Sequence, residues 1–308
     1  MGRKRILRIL YILLAAAVGC VVFFLAMALG IIPGERKESG KQGSQTSSVS
    51  ILPDSRIQGS GALRKESLDI DGIKTILYFT DSYEQRPLVI LQHGLSSRKE
   101  DVAEFAAAIA GSGYFVVTPD AAGHGEAKLK EPLSVMDMVV QTAGQFDGII
   151  DYFRESRYVD TDQVGLAGFS LGGLAAFYYT GSCSGNPKVV VSMCSTPDFS
   201  DLAGQDAAYT LCMDGNMSVE QDPEERKKID EQMRVSSPYG KLLDDTDTCF
   251  FMLCGSEDEV VPYEGNVRFF EEMEVSAENI QLTVKEGQGH TITEPDMRQV
   301  LEYLKNHL

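Results

Sequence analysis

A serine hydroxyl attacks a carbonyl only when a base takes its proton, so the first pair to seek is a serine on a cramped turn and a histidine able to reach it. Gly168-Phe169-Ser170-Leu171-Gly172 supplies the serine. Its glycines leave room for a sharp strand-to-helix bend, which lifts the hydroxyl above a sheet edge. The bare pattern is common in a chain rich in Gly and Ser; the apolar run Val164 to Ala167 just before it gives it context. Of the four histidines, His290 is the expected base, because Gly287-Gln288-Gly289-His290 falls between the last expected strand and the last expected helix. A loop there can deliver an imidazole to Ser170. His93 and His124 stand in His-Gly pairs after early strands and are expected to brace loops, while His307 belongs to a C-terminus expected to fray.

The imidazole needs a carboxylate to fix its tautomer and to stabilise the imidazolium formed on proton transfer. In Gly255-Ser256-Glu257-Asp258-Glu259-Val260-Val261-Pro262 three carboxylates follow an apolar strand. Asp258 is the expected partner and Glu257 the alternative, in a chain whose 45 acidic residues also make plain surface acidity a reading to weigh. The order serine, acid, histidine suits this chemistry. The oxyanion of acyl transfer is best met by backbone N–H groups. Leu171, directly after the serine, offers one amide, and Leu95 in His93-Gly94-Leu95-Ser96 offers the other. Neither a cofactor nor a metal is required. The six cysteines show no ligand spacing and, with Cys20 in the N-terminal apolar run, leave an odd set of five. Cys194 and Cys254 lie in apolar runs and are expected as buried free thiols.

The elements that must position these groups alternate strand and helix, as in an α/β protein whose mainly parallel sheet carries helices on both faces. Leu68 to Ile70 and Thr75 to Phe79, joined by Asp71-Gly72, read as an opening hairpin. Strands follow at Leu88 to Leu91, Tyr114 to Thr118, Val164 to Ala167, Val189 to Met193, Cys249 to Cys254 and Ile280 to Val284. Between them, helical spacing joins Val102, Phe105 and Ile109; Val135, Met138, Val139, Phe146, Ile149, Ile150 and Phe153; and Val267, Phe270 and Met273. A last helix, with Pro295 in its first turn, buries Met297, Val300, Leu301 and Leu304. Residues 197–238 break the alternation and are a candidate cap, whose Met213, Met217 and Met233 could line an adaptable pocket.

The first 32 residues differ from the rest. Basic residues lead into an apolar run, Ile6 to Ile32, broken only by Arg8 and long enough to span a bilayer. An uncleaved anchor that sends the C-terminal bulk across the membrane is the expected reading. A cleaved signal ending near Ala26-Met27-Ala28, which would leave the protein secreted, is the alternative. Residues 33–62 read as a flexible tether and residues 63–308 as the catalytic domain. The formal charge is −17, and the four basic residues of 1–32 stand without acidic ones, so the remainder carries −21. Such a surface excludes nucleic acid as a partner.

Together VILQHG, VVTPDAAGHGEA, GFSLGG, GSEDEVVP and GQGH resemble the α/β-hydrolase superfamily, above all its prokaryotic esterase, dienelactone-hydrolase and acylaminoacyl-peptidase-like branches. The resemblance spans Leu63 to Leu308. It implies an α/β-hydrolase fold with a short cap, Ser170 as nucleophile, Asp258 as acid, His290 as base, Leu95 and Leu171 as oxyanion donors, and a structural role for Gly123-His124-Gly125. It further implies a carboxylic ester hydrolase acting on a small-molecule acyl ester. Peptidase, thioesterase and acyltransferase chemistry share this apparatus, and a non-catalytic binding module of the same fold is the reading from another class.

Overall fold

A computed structural model of the chain describes residues 56–308 except 128, 130, 184, 214–215, 246 and 274–278. The expected span (1–32) and most of the tether lie outside the described residues; among those described, no helix is long and apolar enough to cross a membrane. The expected hairpin forms from β1 (Leu63–Ile70) and β2 (Ile73–Thr80), and at its turn Asp71 and Gly72 take φ of 49° and 95°. Then come β3 (Arg86–Gln92), α1 (Ala103–Gly111), β4 (Phe115–Pro119), β5 (Leu133–Ser134), α2 (Val135–Phe153), β6 (Val159–Phe169), α3 (Leu171–Ser182) and β7 (Val189–Met193). Residues 197–238 hold two short 3-10 turns, β8 (Thr210–Met213), β9 (Asn216–Val219) and α4 (Pro223–Ser236). The chain closes with α5 (Tyr239–Leu243), β10 (Cys249–Gly255), α6 (Glu264–Glu272), β11 (Ile280–Lys285) and α7 (Glu294–His307).

Eight strands form one sheet in the order β1-β2-β4-β3-β6-β7-β10-β11, with β2 antiparallel to both neighbours and the strands from β4 onward parallel. Strands buried on both faces need apolar side chains at every position, which explains their unbroken runs. Alternate residues serve opposite cores. Leu88 and Ile90 pack with Phe146 and Phe153 of α2 and Phe177 of α3; Val89 and Leu91 pack with Phe105 and Ile109 of α1 and Val300 and Leu304 of α7. α2 begins with a capping box, in which the Asp137 amide donates to Ser134 Oγ and the Ser134 amide to Asp137 Oδ2.

Three expectations need correction. In α6 the buried ring is Phe269, facing Phe177 and Phe250 with centroids 6.3 and 5.5 Å away, whereas Phe270 is 41% exposed; Met273 is buried as expected. His307 does not fray: it ends α7, stacks on Tyr303 at 4.0 Å, and its Nδ1 lies 2.9 Å from the Tyr303 carbonyl. Of the three cap methionines, Met233 is core and Met213 is 40% exposed, so only partly buried Met217 reaches toward the site described next.

Candidate active site

Strands β3, β6, β10 and β11 deliver the candidate groups to one edge of the sheet, outside their carboxyl ends, as open α/β sheets do. After β6 the chain turns through Ser170 with φ 52° and ψ −115°, a strained conformation for a residue with a side chain. Its surroundings hold it there. The Ser170 amide donates to Met193 O at 2.8 Å, and the amides of Gly173 and Leu174 donate to Ser170 O at 2.9 and 3.0 Å. A Cβ at Gly168 would strike the backbone of Gly172, one at Gly172 the carbonyls of Gln92 and His93, and one at Gly173 would stand 2.6 Å from Ser195 Cβ. None of these three glycines has positive φ. They are required by close approach, so that the elbow can seat against β3 and β7.

The residues expected to act with Ser170 come together. His290 Nδ1 lies 2.8 Å from Asp258 Oδ2 and its Nε2 lies 3.0 Å from Ser170 Oγ. A carboxylate only accepts, so Nδ1 carries the proton and donates to Asp258, which leaves Nε2 to accept from the serine hydroxyl. The Asp258 side chain is fully buried, and the amides of Val260 and Val261 both donate to its Oδ1 at 2.9 Å. Glu257 is exposed and contributes its amide, which donates to Gln288 O at 2.9 Å. That bond pins the histidine loop, and Gly255 lets the loop come close, since a Cβ there would collide with Gln288 O.

The two expected oxyanion amides occupy the neighbouring positions. Leu171 opens α3, where the first amides have no intrahelical acceptor. Leu95 follows β3, and among the described residues its amide has no acceptor. Its loop abuts the elbow: a Cβ at Gly94 would lie 3.4 Å from Ser170 Cβ. Both bracing histidines act on this loop. His124 Nε2 accepts from the amide of Ser96, itself at φ 65°, at 3.2 Å, and His93 Nε2 accepts from the Ala121 amide at 2.9 Å. Each ring therefore donates from Nδ1, to Ala122 O and Gly94 O. Burial pushes His93 down to about 4 and His124 below its ordinary value, so both are neutral acceptors at pH 7. Beneath them the buried Lys99 ammonium donates to Asp120 Oδ2 and Glu126 Oε1, each at 2.7 Å. Burial opposes its charge, but these carboxylates outweigh burial and raise its pKa.

Three further side chains, Phe169, Ser96 and Cys194, reach the site beside Met217 of the cap, and the sequence alone did not place them there. Phe169 packs against the His290 ring at 5.1 Å. Ser96 Oγ donates to Met217 Sδ of the cap hairpin at 3.6 Å. Cys194, fully buried just after β7 with φ 51°, donates its thiol to Thr291 O at 3.3 Å, one residue beyond His290. Burial, and then the Asp258 charge, raise its pKa, so it is a neutral thiol. Its place after a central strand, at the same sheet edge as the serine, was the signal available.

The strand order, the elbow turn and the hydrogen-bonded serine, histidine and aspartate define a protein of the α/β-hydrolase superfamily. Within it, residues 102–308 match the prolyl oligopeptidase family, and the chain belongs to that family. It is 23% identical over 256 residues to "Putative esterase YitV" of Bacillus subtilis (strain 168), covering 79% of this chain and 98% of that protein. It is 22% identical over 236 residues to esterase YjfP of Escherichia coli (strain K12), covering 72% and 89%. Among solved structures, TT1662 from Thermus thermophilus superposes with a TM-score of 0.61 at 20% identity, over 79% of this chain and 97% of that one.

Proposed function

We propose that this chain is a serine hydrolase that cleaves carboxylic esters through an acyl-enzyme on Ser170. The observation that carries the reading is the unbroken relay from Ser170 Oγ through His290 to Asp258, at 3.0 and 2.8 Å. In the proposed reaction His290 Nε2 takes the hydroxyl proton as Oγ attacks the carbonyl, and buried Asp258 stabilises the imidazolium. The amides of Leu95 and Leu171 receive the oxyanion. His290 returns the proton to the leaving alcohol, then activates the water that frees the acyl group. Esters rank ahead of amides and thioesters here because both curated relatives are named esterases. The acidic chain favours neutral or cationic substrates over anionic ones.

Turnover of chromogenic esters from acetyl to long-chain acyl tests this, beside an aminoacyl anilide and a Ser170→Ala control. Ester turnover that falls at least about 10⁴-fold in the control supports the reading. Failure of the folded protein both to turn over any ester and to take up a fluorophosphonate label favours the binding-module reading. The proposal also places the domain outside the cell membrane on the Ile6 to Ile32 run, supported by the basic residues before it. Sequencing the N-terminus of the mature protein separates an anchor from a cleaved signal.

A further inference from the structure

Cys194 has no part in the relay, yet its Sγ, a carboxylate oxygen of Asp258 and a ring nitrogen of His290 all lie within 4.8 Å of one another. We propose that these three side chains form an inhibitory site for a thiophilic divalent cation of the zinc class. A thiolate, an imidazole and one carboxylate are the donors such ions select, whereas calcium and magnesium demand oxygen-rich shells. With bonds of about 2.0–2.3 Å, ligands around one zinc stand roughly 3–4 Å apart, so small side-chain rotations close the shell. The carboxylate is already oriented: the amides of Val260 and Val261 hold Oδ1, leaving Oδ2 to face the His290 ring. Cys194 and Asp258 are buried, and His290 keeps 20% of its side chain exposed, so the cluster is not sealed from solvent.

The chemistry balances without redox change. The cation displaces the thiol proton of Cys194 to solvent and forms a metal–sulfur bond. It takes the Nδ1 lone pair of His290, and the proton that Nδ1 carried moves to Nε2. The Nδ1–H bond to Asp258 Oδ2 is replaced by a metal–oxygen bond, and one proton leaves per ion bound. A ring that is metallated at Nδ1 and protonated at Nε2 cannot accept the Ser170 proton, so the hydrolase stops. The inhibition, though not the binding, rests on the reading of His290 as the base.

The test uses the full-length chain with Cys183 and Cys249, the half-buried thiols, replaced by serine, and zinc alone as the probe. One equivalent should bind this protein and its Ser170→Ala version alike, and affinity should fall about a hundredfold in Cys194→Ser and Asp258→Asn. X-ray absorption of the zinc-loaded parent, which needs no variant at Cys194, should show one sulfur at about 2.3 Å. Ester turnover should fall in step with occupancy and return on chelation. Equal affinity in Cys194→Ser, or a shell without sulfur, overturns the proposal. Zinc binding as described in a protein without metal-free ester turnover would overturn the hydrolase reading and leave the metal site standing.

Discussion

Two stretches of chain meet at Ser96, and different forces hold them. The loops 93–99 and 120–126 are tied by buried polar groups: His93, His124, Lys99 and Asp120 are each at most 3% exposed, and directed hydrogen bonds join them. The cap is tied by apolar packing of Phe199, Leu202, Tyr209, Cys212 and Met233 onto Met136, Met138, Leu171 and Leu174. The ion pairs of its helix α4, Glu224–Lys227, Glu225–Lys228 and Glu231–Arg234, lie in solvent and add little. A buried hydrogen bond is directional and costly to leave unmade, whereas apolar contacts tolerate changes of shape. In the proposed reaction, the side that would aim an amide at one point is built from the first, and the side that would accommodate an acyl group from the second.

Removing a charge from the polar side should have the largest effect. Lys99→Met strands Asp120 in the interior and should cost about 3 kcal/mol in urea unfolding; a loss below about 1 kcal/mol would mean that solvent already serves the pair. His124→Ala, which leaves the Ser96 amide without an acceptor, should lower kcat roughly tenfold with little change in KM. His124→Gln can offer an oxygen to the same amide and should restore most of the rate, while equal losses in both variants would point to a packing role alone.

A smaller effect concerns pH. His93 is neutral in the folded state with its pKa depressed to about 4, while the unfolded chain protonates nearer 6.5. The unfolded state thus takes up the proton first, so stability is intact above 6.5 and declines as pH falls toward 4, at about 1 kcal/mol per pH unit. His124 acts in the same direction, and Asp120, whose Oδ1 is 4.0 Å from His93 Nε2, adds its own loss only below its ordinary value of 3.8. Melting temperatures across this window should flatten in His93→Asn. The smallest change in stability belongs to the cap: Met217→Ala should alter it by less than about 1 kcal/mol yet shift the ratio of short- to long-chain ester turnover several-fold. An unchanged ratio would remove Met217 from the acyl pocket.

Legibility followed the same division. The parallel strands were readable because burial on both faces demands unbroken apolar runs, and the elbow because crowding requires glycine two positions to either side of Ser170. The cap was not. Its strands β8 and β9 have four residues each, and β5, only two residues long, pairs with β8 from nearly eighty positions earlier. The sequence carries one signal there, since Asp214-Gly215 repeats the Asp-Gly pair of the first hairpin. The contact of Cys194 had no local signature either, because its partner Thr291 follows another strand.

By itself the sequence determined the order of elements, the alternating faces of the sheet and the residue types able to act as nucleophile, base and acid, since each of these depends on neighbours along the chain. Choosing Asp258 over Glu257, closing the relay to 2.8 and 3.0 Å, and setting a thiol beside it were decided by the tertiary structure. Those outcomes depend on register and loop closure across four strands, and a one-residue slip would have turned each side chain to the other face.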